Sequence, residues 1–228
     1  MRYLFWDIDG TLLSTGRAGI VAWERAAHEV LGQRVDFTRL KTAGVIDPEI
    51  ARTICRQFSS GADEAQALRV LRGYEAHLPS CLPLRQGRVL PNVVEILERL
   101  KQRDDVCSRL LTGNTRAGAA AKLRHYGLSG YFAADGAFAD DCAAREDVAR
   151  GAHAAIPAAH HAAERYVIGD TPHDIRCAAA IGARTIAVAT GEYSVDELRA
   201  QGAWVALPQL PDPDAFLELL AGQALATD

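Results

Sequence analysis

Within five residues, the run Asp7-Ile8-Asp9-Gly10-Thr11 sets two carboxylates about one tight loop. Carboxylates so placed can hold a hard cation. Gly10 can take backbone angles closed to other residues, so that successive N–H groups point into one concavity suited to an anion. A metal and a phosphate would then share the loop. Thr112-Gly113-Asn114 offers a hydroxyl at the start of a helical pattern, where unpaired amides and the helix dipole favour phosphate, although threonine there is also an ordinary N-cap. In Gly169-Asp170-Thr171-Pro172-His173-Asp174 one acid ends an apolar run and another lies in the first turn of the next helix, where acids also serve the dipole alone.

Each of these groups closes a short run of strand formers. Tyr3 to Trp6 reads as a strand buried on both faces, and Val106 to Leu111 and Tyr166 to Ile168 are its counterparts ahead of Thr112 and Asp170. Thr185 to Val188 and Trp204 to Leu207 predict further strands, and Phe132 to Phe138 a weaker one. Between them the pattern turns helical at Val93 to Leu100, at 116–126 where Gly127 stops it, at 146–162, 172–181 and 195–200, and from Pro213. Such alternation predicts an α/β fold with a doubly wound parallel sheet.

Residues 14–87 differ. Ile20, Val21, Trp23, Ala27, Val30 and Leu31 recur at helical spacing up to Gly32. Asp47 as N-cap with Pro48 behind it starts a second helix through Ile50, Ile54 and Phe58. Leu68, Leu71, Tyr74 and Leu78 mark a third, with Pro79, Pro83 and Gly87 breaking the chain afterwards. The expected organisation is a core of 1–13 and 88–228 interrupted by an all-helical insert at 14–87.

Read together, Asp7-Ile8-Asp9-Gly10-Thr11 after the first strand, Thr112 one strand later and the Gly-Asp pair at 169–170 with Asp174 resemble motifs I, II and IV of the haloacid dehalogenase (HAD) superfamily. The helical insert is similar to its C1-type cap, as in the phosphoglycolate phosphatase-like members, and the resemblance covers nearly the whole chain. The family's strand order would bring Asp7, Asp9, Thr112 and Asp170 together, an oxygen-rich cluster that selects a hard cation such as Mg²⁺. The resemblance further implies that Asp7 attacks phosphorus to form an aspartyl-phosphate, and that Asp9 protonates the leaving oxygen and then activates water. Thr112 would bind a phosphoryl oxygen, with Gly10, Thr11, Gly113 and Asn114 lining the phosphate site. Asp7, the backbone carbonyl of Asp9 and Asp170 would hold Mg²⁺, and Asp174 would support it directly or from behind.

One part of the family pattern is missing. Many such phosphatases carry Lys-Pro ahead of the helix after the third strand, and here that segment reads Asp141-Cys142-Ala143-Ala144-Arg145. Arg145 is the cation nearest the expected place and could bridge Asp7 and the phosphoryl group. Lys122 is its rival, expected on a solvated helix face. Arg17 and Lys41 of the insert could meet the organic part of a substrate or simply face water.

The chain has 228 residues with 25 basic against 29 acidic ones, a net charge of −4, and its arginines are scattered, so no nucleic-acid footprint appears. No apolar run approaches the roughly 18 residues of a membrane span, and a strand begins within three residues of Met1, so no signal peptide and a cytoplasmic location are expected. The five cysteines form no CxxC pair, which argues against zinc and disulfides. The expectation is therefore a Mg²⁺-dependent phosphatase for a small phosphorylated metabolite, phosphoglycolate or a sugar phosphate. A phosphomutase of the same superfamily or a catalytically idle binding protein are the alternatives.

Overall fold

A computed structural model of the chain describes residues 1–58, 63–132, 136–140 and 142–222. Strands β1 (Arg2–Trp6) and β2 (Leu13–Ser14) precede three helices, α1 (Ala18–Leu31), α2 (Asp47–Arg56) and α3 (Glu64–Cys81). Then follow β3 (Arg88–Val89), α4 (Val93–Lys101), β4 (Val106–Leu110), α5 (Arg116–His125), α6 (Arg145–Ala154), β5 (Glu164–Gly169), α7 (Pro172–Ala180), β6 (Arg184–Val188), α8 (Val195–Ala200), β7 (Val205–Leu207) and α9 (Pro213–Leu220).

The continuous apolar run at the start of the chain becomes the inner strand of a five-stranded parallel sheet ordered β4-β1-β5-β6-β7. Its alternate side chains serve opposite faces, which is why none of them is polar. Leu4 and Trp6 pack with Ile96, Leu97, Leu123 and Phe216 from α4, α5 and α9, and Trp6 stacks on Phe216 with ring centres 5.7 Å apart. Tyr3 and Phe5 pack on the other face with Val148, Ala149, Cys177 and Ala178 from α6 and α7. Burying each such large side chain contributes about 1.5–3 kcal/mol, so the strand is anchored from both sides.

Helices α1, α2 and α3 build a separate apolar cluster. The small residues Ala18, Ala22 and Ala26 line the buried stripe of α1, and Trp23 stacks almost flat on Tyr74 of α3, with ring centres 3.9 Å apart and planes 5° from parallel. This helical unit meets the sheet domain at an antiparallel ladder, Leu13 opposite Val89 and Ser14 opposite Arg88. Among the described residues no helix is long and apolar enough to cross a membrane.

Three elements differ from the sequence expectation. Pro79 does not break α3 but sits inside its last turn, where the absent N–H costs a single bond and Leu78 and Cys81 remain buried. The weak strand at 132–138 reduces to one bridge between Leu111 and Ala137, and its residues 133–135 lie outside the described residues. The helix expected over 146–162 stops at Ala154; Pro157 follows, then a single 3₁₀ turn at Ala158–His160, because proline cannot continue the ladder.

Candidate active site

The chain leaves β1 to form β4 on one side of it and β5 on the other, so the order reverses at β1 and opens a crevice at the carboxyl ends of these three strands. Trp6 is level with Leu110 in β4 and with Ile168 in β5. Asp7, Thr112 and Asp170, the residues just beyond, therefore meet at one edge. All three are buried.

One carboxylate oxygen each from Asp7, Asp170 and Asp174 lies within 4.8 Å of the others. Arg145, at the start of α6, points one guanidinium nitrogen at the group, 2.8 Å from Asp7 Oδ1 and 2.6 Å from Asp174 Oδ1. Its other partners come from the fold: Cys177 Sγ donates to the Arg145 carbonyl at 3.4 Å. Asp174 is the third residue of α7 and caps it, its Oδ2 accepting from the Thr171 N–H at 3.0 Å and the Thr171 hydroxyl at 2.7 Å. Both of its oxygens are thus engaged by protein donors. Burial drives the Asp7 carboxyl up to about 7, Arg145 working against that and Asp174 and Asp9 adding to it, and burial likewise raises Asp170 well above the usual carboxylate range.

These residues suit a divalent cation. Three buried carboxylates face one buried guanidinium, so two negative charges remain without compensation when all are ionised. Asp7 Oδ1 is buried and accepts no hydrogen bond of proper geometry. An all-oxygen donor set of this charge favours a hard divalent ion.

Asp9 turns away from that cluster. Its Oδ2 accepts from Asn114 Nδ2 at 2.9 Å and from Lys122 Nζ at 2.5 Å, and Lys122 also donates to Asn114 Oδ1. Asn114 in turn donates to Thr112 Oγ1 at 2.9 Å. Lys122 is thus not on a solvated face: its side chain is 5 % exposed, because α5 turns Gly118, Ala119 and Leu123 inward and the lysine lies in the same stripe. Nor is Arg145 a surface residue. Both cations considered from the sequence are buried at the site, each serving a different acid of the first loop.

Asp47 corrects a second expectation. It begins α2 but caps another helix instead of its own: its Oδ2 accepts the N–H of Thr115, the N-cap of α5, at 2.9 Å, while its own N–H donates to the Gly113 carbonyl at 2.8 Å. Burial raises this carboxyl to about 7, with the Lys122 ammonium as its main compensation.

The loop after β1, expected to bind phosphate, also differs in detail from its expected form. The amides of Gly10 and Thr11 donate to the carbonyls of Leu13 and Ile8, at 2.9 and 3.3 Å, and the Thr11 hydroxyl is directed at Asp170 Oδ1, 3.4 Å away. Gly10 and Thr11 therefore shape the loop. Among the described residues, no hydrogen bond engages the N–H of Asp9 or of Gly113. Thr112 Oγ1 accepts from the N–H and the side-chain amide of Asn114, which leaves its own proton for an anion.

Above the acids lies a cavity of about 300 Å³ between the sheet domain and the helical unit. Asp7, Asp9, Asn114 and Arg145 line it from below, Ile20, Trp23 and Tyr74 from the helical unit. Arg17 reaches this cavity; Lys41 is exposed and does not line it.

A doubly wound sheet with acids, a buried arginine and a threonine hydroxyl gathered at the switch point, and a helical unit over them, places the chain in the α/β class. The family model described as haloacid dehalogenase-like hydrolase matches residues 4–179, and the chain belongs to that family. It is 28% identical over 200 residues to the Probable phosphatase IndB of Dickeya dadantii (strain 3937), covering 86% of this chain and 85% of that one. Among solved structures, it resembles a hydrolase from Pseudomonas syringae (TM-score 0.72, 21% identity, 98% of this chain and 99% of that chain). It resembles equally CbbY from Rhodobacter sphaeroides in complex with phosphate, with the same TM-score, identity and coverage.

Proposed function

We propose that this protein is a Mg²⁺-dependent phosphatase that hydrolyses a small phosphomonoester through an aspartyl-phosphate on Asp7. The observation that carries the reading is the convergence of Asp7, Asp9, Thr112, Arg145 and Asp170 at one sheet edge, beneath a cavity of about 300 Å³. That volume suits a small metabolite.

Asp7 is the nucleophile in this reading, because it ends β1, lines the cavity floor and keeps a buried oxygen that accepts no hydrogen bond. Asp7 and Asp170 would hold the cation, and Asp174 would stand behind them through Arg145. When bound, Mg²⁺ supplies positive charge that suppresses repulsion between the phosphate and the acids and keeps Asp7 ionised. Arg145 holds Asp7 on one side and is placed to meet a phosphoryl oxygen on the other. The Thr112 hydroxyl and the N–H groups of Asp9 and Gly113 are the remaining donors for the equatorial oxygens. Asp9 gives a proton to the departing oxygen and then takes one from water. The test is hydrolysis of p-nitrophenyl phosphate with Mg²⁺ present or chelated. Activity that disappears in excess EDTA and returns with Mg²⁺ is expected, and full activity in EDTA contradicts the metal assignment.

A further inference from the structure

Lys122 presents a cost that the reaction as described does not explain. A lysine in a buried helical stripe loses the hydration of its ammonium, which must be offset by partners held in good geometry. Those partners come from two bodies. The loop after β1 gives Asp9 Oδ2 at 2.5 Å, and Asn114, itself bonded to the same oxygen at 2.9 Å, gives its Oδ1. The helical unit gives the Tyr74 hydroxyl from α3, a neutral hydrogen-bond partner of the ammonium, and the Asp47 carboxylate from α2, whose negative charge helps to keep it protonated; both lie against Gly118, one turn before Lys122 on α5. Lys122 makes no ion pair with Asp7, which Arg145 already serves.

The consequence falls on Asp9. Its side chain is 42 % exposed and lines the cavity, so the loop alone would let it turn among several rotamers. Two donors on one oxygen remove that freedom. Among the described residues no hydrogen bond engages Oδ1, so the fork from Lys122 and Asn114 fixes one oxygen and leaves the other for substrate. We infer that Lys122 is a positioning residue which aims the Asp9 carboxylate at the leaving oxygen and which is itself held in place by Asp47 and Tyr74 of the helical unit. Seating of that unit is thereby coupled to the aim of the acid. This inference rests on the phosphatase reading above, in which Asp9 protonates the departing group.

In the first half-reaction, which kcat/KM reports, a misaimed acid harms only leaving groups that need its proton; the later attack of water on the aspartyl-phosphate is common to all substrates. Substituted phenyl phosphates of similar shape provide the measurement, since p-nitrophenolate leaves without help and phenolate or p-methoxyphenolate does not. Lys122→Met keeps length and bulk. It should leave kcat/KM for p-nitrophenyl phosphate within about threefold of wild type and lower that for phenyl phosphate about a hundredfold, the usual scale of general-acid catalysis. Asp47→Asn, whose amide oxygen can still accept from Thr115, should steepen the dependence on the leaving group in the same direction but less. The double variant Lys122→Met/Asp47→Asn removes both buried charges at once and serves if the single lysine variant fails to fold. An equal loss across the series, in whichever of these variants folds, overturns the proposal in favour of phosphate binding or simple packing. If the wild-type protein cleaves none of the phosphates, the phosphatase reading itself falls. The positioning claim is then decided by crystal structures: Asp9 turned to a new rotamer in Lys122→Met upholds it, and Asp9 unmoved overturns it.

Discussion

Arg145 reaches Asp7 and Asp174 with one nitrogen, and among the described residues no second cation forms an ion pair with the three acids around it. Its removal should act twice. Arg145→Ala is expected to cut kcat about a hundredfold, the scale for a lost donor to transition-state charge. It should also destabilise the metal-free protein by about 3–5 kcal/mol, as when one partner of a buried ion pair is taken away. Urea unfolding beside steady-state kinetics checks both, and a variant with wild-type kcat would remove Arg145 from the reaction. From the sequence, Arg145 was legible through its place before a helix, but its rival was not. Lys122 sits one residue before Leu123 and three after Ala119, inside an apolar stripe, and that spacing was the available signal. What hid it is that its partners, Asp9 and Asp47, stand 113 and 75 positions away in the chain, so nothing local shows that an ammonium there would be compensated.

The elements around the site were legible wherever one residue pattern allowed one structure. β1, β4 and β5 follow from apolar runs that only a sheet covered on both faces can use, and the ends of those runs put Asp7, Thr112 and Asp170 at strand ends, while only the family resemblance implied that the three strands lie side by side. The turn between β1 and β2 is where backbone freedom is decisive. Gly10 has φ +78°, and a Cβ there would stand 2.3 Å from Asp170 Oδ2. Gly10→Ala is therefore expected to displace Asp170 and to abolish Mg²⁺ binding by calorimetry, at a stability cost of about 1–2 kcal/mol for the left-handed backbone. Undiminished Mg²⁺ affinity in that variant would show that Asp170 is not a ligand. Asp47 marks the opposite limit. Asp-Pro correctly announced a helix start, yet the direction of the aspartate depended on another helix, α5, that packing alone brings beside it.

At the scale of the molecule, the helical unit and the sheet domain share the burden of charge at their junction. Asp7, Asp170 and Asp47 are all ionised at a cost, and each is raised above its ordinary value by burial. A raised acid binds its proton more firmly folded than unfolded, so stability present at low pH is lost as pH climbs through the folded value. For Asp7 that window runs from 3.8 to about 7. The metal-free protein should accordingly become less stable on going from about pH 5 to about pH 8, whereas the rise in Tm produced by Mg²⁺ should grow over the same interval, because the cation and the proton compete for the same carboxylates. A Mg²⁺ effect that shrinks with rising pH would contradict the assignment of Asp7 and Asp170 as its ligands. The central claim, that Asp7 carries the phosphoryl group, is tested most directly by trapping. Protein quenched during turnover with Mg²⁺ and substrate, then reduced with borohydride, should yield a peptide in which Asp7 has become homoserine, absent without substrate and absent from Asp7→Asn. Turnover by Asp7→Asn at the wild-type rate, or an acyl-phosphate found on another residue, would contradict it.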